Sequence, residues 1–164
     1  KNIPTLREGL SVIPRSVFVN VGIKNHRMEP GCDAKRIIVD ETVTELKNHD
    51  DASRILLSSF DPFAVGRVRQ IAPAISTGLL VSERTLLGLA TRWARRAGHK
   101  TVNLAASHLV RDACGVVDLA AARGLGVVAW TVDEPNEIER LFRCGVTAVV
   151  TNDPAVGRAV VASL

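Results

Sequence analysis

Long apolar runs are missing from this chain. None of its 164 residues lies in a stretch near the ~20 that a membrane-spanning helix needs. Cysteine is scarce and odd in number: Cys32, Cys114 and Cys144 stand far apart, with no C-x-x-C pair and no zinc spacing. That pattern predicts free thiols in a reducing compartment, hence a cytoplasmic protein. A secretory leader is also lacking, but the chain begins at Lys1 rather than methionine, so further sequence, with any targeting signal, is expected upstream. There is no G-x-G-x-x-G, G-x-S-x-G, H-E-x-x-H or P-loop, which removes the usual signals for dinucleotide, serine-hydrolase, zincin and nucleotide chemistry. No linker or low-complexity tract interrupts residues 1–164, so one domain is expected.

Charge of one sign is only mildly in excess, with 21 Lys and Arg against 17 Asp and Glu. Arg92, Arg95, Arg96 and Lys100 flank Trp93 on a predicted helix. Without a run of aromatics they read as a solvated outer face rather than a nucleic-acid site.

What is present is a repeated strand–helix pattern, clearest from Gly124 to Pro154. Val127 to Thr131 reads as a strand buried on both faces. Asp133 is placed to cap the next helix, Pro135 suits its first turn, and Gly145 suits a left-handed stop. Val146 to Thr151 reads as the following strand, and Asn152-Asp153-Pro154 opens another helix. Trp130, Thr131, Asp133, Thr151 and Asn152 then fall at carboxyl ends of parallel strands, where such sheets bind ligands.

Upstream, the pattern predicts a helix from Ile3 to Ile13 capped near Thr5 and a strand from Ser16 to Lys24. A loop from Asn25 to Asp33 and a helix from Ala34 to Asn48 follow. A strand from Arg54 to Phe60 leads to a helix opened by Asp61-Pro62 and running to about Ala72. A strand from Ile75 to Val81, a helix from Glu83 to Ala97, a short strand from Thr101 to Leu104 and a helix from Leu109 to Arg123 complete the series. The count is six strands. A closed (β/α)8 barrel needs eight strands and about 250 residues; an open doubly wound sheet needs no more than six, but lacks its glycine-rich turn here.

Ile3–Leu6 (IPTL), Val19–Lys24 (VNVGIK), Ser58–Pro62 (SSFDP), Thr77–Leu80 (TGLL), Ala129–Pro135 (AWTVDEP) and Gly145–Pro154 (GVTAVVTNDP) together resemble the glycerophosphodiester phosphodiesterase family. The order and spacing fit along essentially the whole chain. The resemblance implies an α/β fold: an incomplete TIM-type (β/α) barrel, matching strands three to eight. It places the first third of the domain before Lys1. Members hydrolyse a glycerophosphodiester to glycerol 3-phosphate and an alcohol, using a divalent metal (Mg or Ca) and two histidines. Metal and cations neutralise phosphoryl oxygens, while one imidazole takes a proton and another protonates the leaving alkoxide.

By the same resemblance, both catalytic histidines and a Glu-x-Asp metal pair would precede Lys1. The remaining metal ligand belongs to a triplet that here reads Gly22-Ile23-Lys24, so its carboxylate is gone and no metal ligand is expected in this chain. Lys24 matches a lysine facing the phosphate; a solvated strand-end lysine is the plain alternative. Ser59 and Phe60 match a strand-end pair near the pocket, though Phe60 also suits packing under a helix. Trp130 matches a tryptophan on the glycerol-side wall, and simple core packing competes with that role. Asn152 replaces the family's usual Asp and keeps a capping role. The expected ligand is a glycerophosphodiester or glycerol phosphate, without nucleic acid and without a membrane span.

The remaining histidines add little. His26 lies near the barrel mouth, where it is a candidate ligand or proton carrier with nothing paired to it. His49, in Asn48-His49-Asp50-Asp51, reads as a solvated helix end. His99 follows a helix stop and is expected to be exposed. His108 follows the fourth strand on the ligand side, with a loop or capping role. Three readings result: a piece of a metal-dependent hydrolase; a non-catalytic relative retaining phosphate or glycerol binding; and an assembly module that self-associates through open barrel edges.

Overall fold

A computed structural model describes residues 3–25, 32–47 and 52–164. His26 and His49 lie outside them, as do the predicted loop tip and the end of the second predicted helix. The chain divides into two compact units, Lys1–Gly78 and Leu79–Leu164, with the boundary inside a strand.

The first unit holds α1 (Leu6–Val12), β1 (Val19–Gly22), α2 (Ile37–Lys47), β2 (Ile55–Ser59), α3 (Pro62–Ile71) and the start of β3 (Ser76–Val81). Thr5 caps α1 through a reciprocal box with Glu8. β1 is shorter than the sequence suggests: Val19 to Gly22 pair with Ile55 to Ser58 of β2, and beyond them the Ile23 amide adds one bond. α2 starts at Ile37 because the Asp33 carboxylate accepts from the Ile37 and Ile38 amides. Leu57, Leu46, Val43, Val39, Val68 and Ile75 form the centre of this unit's core. All five residues of β2 are buried, which is why ILLSS reads as an unbroken run rather than an alternation.

The second unit holds the rest of β3, then α4 (Leu87–Arg96), β4 (Thr101–Ala105), α5 (Ala113–Ala121), β5 (Gly126–Trp130), α6 (Pro135–Arg143), β6 (Ala148–Val150) and α7 (Pro154–Ala162). α4 begins four residues later than expected, since Ser82 to Thr85 closes a turn of its own. α5 is likewise shortened, because Asp112 caps the Gly115 amide and a 3₁₀ turn occupies Ala106–Leu109. Gly98, Gly124 and Gly145 follow α4, α5 and α6 with φ of 75°, 68° and 88°, the left-handed stop that glycine adopts without a Cβ clash.

The strands are parallel and their order in the sheet is the order in the chain, β1 to β6. A doubly wound sheet reverses its strand order at a switch point; none is present among these six strands. The fold is α/β and consistent with an incomplete TIM-type barrel.

The cysteines and His99 of the second unit depart from the sequence expectation. Cys114 and Cys144 are not free thiols: they form a disulfide, with Cα atoms 4.6 Å apart. The first turn of α5 and the end of α6 bring together two cysteines 30 residues apart in sequence. Cys32 alone remains a thiol. His99 is buried at 4 % exposure, not solvated. Its ring lies 5.1 Å from that of Trp93 on α4.

Candidate functional site

Each unit carries its own group of strand-end residues. In the first, the Ile23 amide extends the β1–β2 ladder by donating to the Ser58 carbonyl at 2.8 Å. Lys24 follows, exposed. Asn25 is buried, and its side chain locks the chain to Asp33: Nδ2 donates to the Asp33 carbonyl at 3.0 Å and Oδ1 accepts from the Asp33 amide at 2.7 Å. Ser59 is fully buried. Its hydroxyl donates to the Ile23 carbonyl at 2.7 Å and accepts from the Asp61 amide at 3.1 Å, so it ties the ends of β1 and β2 together.

Asp61 does two jobs. One oxygen caps α3 by accepting from the Phe63 amide at 2.9 Å, and the other accepts from Arg36 Nε at 3.1 Å. The Arg36 guanidinium lies 5.2 Å from the Phe63 ring centroid, a cation–π distance. These residues, with Asn25, Asp33 and Phe60, line a cavity of about 600 Å³. Phe60 is therefore a cavity wall rather than core, and Lys24 stands beside Asn25 without lining the cavity. Sequence reasoning missed Asn25, Arg36 and the Arg36–Asp61 pair. Only the Asp33-x-x-x-Ile37 cap was there to be found; nothing in the sequence marks Arg36 for its φ of 58°.

Gly22 lies opposite Ser58, and a Cβ built there meets nothing within 4 Å. The position has room for a side chain and supplies none. Among the described residues no three of His, Cys, Asp and Glu are grouped as ligands of an ion would be. A hard divalent cation takes about six oxygen ligands, so these residues do not fit a divalent-metal site.

In the second unit, Trp130 ends β5, half-buried, with Val150 and Ala105 opposite it. Its indole Nε1 donates to the Asn103 carbonyl at 2.8 Å, which fixes the ring beside β4. Asp133 does not cap α6, as the sequence suggests. The cap position belongs to Glu134, which makes no side-chain cap bond. Asp133 instead accepts from Thr151 Oγ1 at 2.9 Å, from the Asn152 amide at 2.7 Å and from Asn152 Nδ2 at 2.9 Å. Asn152 in turn does not cap α7; Asp153 does, accepting from the Ala155 and Val156 amides at 3.1 Å. The loops after β5 and β6 are thereby clasped, and the Val132 amide adds a bond to the Val150 carbonyl at 2.9 Å. His108 is engaged with the Ser82 carbonyl at 2.9 Å.

This clasp explains the amide at position 152. Asn152 donates where an Asp would set a second carboxylate against Asp133. The donors from Asn152 and Thr151 hold the Asp133 carboxyl below its ordinary pKa. A carboxyl depressed in the folded state stabilises above its unfolded pKa, and that contribution is lost as pH falls through the folded value. Melting the Asp133→Ala variant beside the parent is therefore expected to show a gap of a few degrees at neutral pH that narrows below about pH 4. Asn152→Asp is expected to melt lower at neutral pH and recover on acidification. A gap independent of pH would exclude the ionised clasp.

Parallel strands in chain order are consistent with an incomplete (β/α)-barrel type of protein, a fold whose sites lie at the carboxyl ends of the strands. A profile of the glycerophosphoryl diester phosphodiesterase family matches residues 1–156, and the chain belongs to that family. The glycerophosphodiester phosphodiesterase of Caldanaerobacter subterraneus subsp. tengcongensis is 28 % identical over 160 residues, covering 94 % of this chain and 60 % of the relative. Glycerophosphodiester phosphodiesterase GDPD4 of Arabidopsis thaliana is 29 % identical over 154 residues, covering 94 % of this chain and 45 % of the relative. Among solved structures, an Oleispira antarctica phosphodiesterase in complex with its product sn-glycerol-3-phosphate superposes with a TM-score of 0.77. It is 23 % identical, with 97 % of this chain and 61 % of that chain covered. The chain thus spans about half to three-fifths of the length of these relatives. No helix among the described residues is long and apolar enough to cross a membrane.

Proposed function

We propose that this chain forms the substrate-binding wall of a glycerophosphodiester phosphodiesterase domain, its six strands corresponding to the third through eighth of the family barrel, and that by itself it does not hydrolyse the phosphodiester. Gly22 carries this reading. By resemblance the residue matches the family's metal-ligand carboxylate; here it ends β1 in open space, with no side-chain oxygen to offer a cation. The two carboxylates of the first unit's cavity are engaged within the fold: Asp33 on caps, Asp61 on Arg36 and an amide. In the first unit Lys24 and Phe60 serve as ligand contacts, with Ser59 holding the strand ends that carry them; in the second unit Trp130 serves as a ligand contact in its own right.

The expected result is no turnover of glycerophosphocholine by the pure chain with Mg²⁺ or Ca²⁺, and none after Gly22→Glu. Turnover above background by either protein overturns the non-catalytic reading. Binding is read separately. sn-Glycerol 3-phosphate is expected to raise the melting temperature in proportion to RT ln(1 + [L]/Kd), less so for Lys24→Ala. An unchanged melting temperature at millimolar ligand removes the binding reading.

A further inference from the structure

The structure changes the meaning of the basic cluster on α4. Leu86, Leu89, Trp93 and Arg96 recur at three- and four-residue spacing, so they share one side of the helix, with Arg92 beside them. Trp93 turns inward against His99. Leu86 and Leu89 do not: they are 70 % and 60 % exposed. Arg123 joins from just beyond α5, held by a bond from Arg95 Nη1 to its carbonyl at 2.7 Å. Leu89, Arg92, Trp93, Arg95, Arg96 and Arg123 line a groove of about 560 Å³.

Four guanidinium groups line that groove and no carboxylate does. Among the described residues none of the four is in an ion pair, whereas Arg7, Arg36, Arg67, Arg140 and Arg143 each hold a carboxylate. Guanidinium groups without carboxylate partners, set beside exposed leucines, are complementary to an anionic surface with an apolar boundary. Phosphate headgroups take the forked donors, and the acyl boundary takes the leucines. We propose that this face of α4 docks the protein on an anionic phospholipid surface. Single-stranded nucleic acid fits less well, because base stacking needs an exposed aromatic platform and the only ring here is packed on His99. The contact is peripheral and does not depend on whether the chain hydrolyses anything.

Co-sedimentation of the full chain with vesicles tests this. Binding is expected to vesicles of phosphatidylcholine containing phosphatidylserine, to weaken as salt rises, and to be absent with phosphatidylcholine alone. Arg92→Ala/Arg96→Ala and Leu86→Ser/Leu89→Ser are each expected to lower the partition at least about tenfold. Arg15→Ala/Arg158→Ala removes the same charge elsewhere and is expected to bind like the parent. Absence of binding, equal binding to neutral vesicles, or an equal loss in the Arg15/Arg158 control overturns the proposal. So does arginine-dependent binding of a single-stranded oligonucleotide by protein that leaves vesicles free. If a variant fails to fold, the parent's salt and headgroup dependence still decides.

Discussion

Replacing Cys114 and Cys144 with serine is expected to lower stability by roughly 3–4 kcal/mol, the chain-entropy figure for a closed loop of 30 residues. The bridge joins the start of α5 to the end of α6 and encloses β5, including Trp130. Its loss therefore loosens the unit that carries the clasp between Asp133 and Asn152. Two measurements check it. Denaturant melts of the parent with and without reductant should differ by nearly as much as parent and double-serine variant do. Thiol titration of the unfolded, unreduced chain should find Cys32 alone, and all three cysteines after reduction. Three reactive thiols before reduction would exclude the bridge.

Leu57→Ala is expected to cost about 2–5 kcal/mol, the range for removing a fully buried leucine without collapse of the space around it. Leu57 is completely buried on β2, one turn of the pleat before Ser58 and Ser59. β2 has core on both faces, so no neighbour is free to fill the void from solvent. The substitution should reach the candidate cavity too, because Phe60 and Asp61 follow directly from this strand. A chemical-denaturation midpoint unchanged in Leu57→Ala would show that the strand is not the centre of its unit. Exposed Phe63 is the contrast: trimming it removes a cation–π partner from Arg36 and little core.

The comparison of pattern with structure divides along one line. The caps at Thr5, Asp61-Pro62 and Asp153-Pro154 and the stops at glycines 98, 124 and 145 are legible in the sequence, because caps and left-handed stops are decided by residues within a turn of each other. The strands were legible as apolar runs, but their ends were not: β1 and β6 stop where the neighbouring strand stops offering rungs. Asp133 was misassigned for a related reason. Its spacing to Pro135 suits a cap, yet Thr151 and Asn152, 18 and 19 residues on, compete for the same carboxylate and win with three donors. The cavity formed by Asn25, Arg36, Phe60, Asp61 and Phe63 likewise joins residues up to 38 positions apart, with no local signature.

What the amino-acid order determined alone was the alternation of strand and helix and the family; each is a matter of residue type or short spacing. Tertiary structure decided which cysteines pair, why His99 is buried, which partner Asp133 takes, and that Arg123 completes a groove of guanidinium groups without carboxylate partners among the described residues. Those outcomes depend on distances between side chains remote in sequence, and only the packing of helices on parallel strands sets such distances.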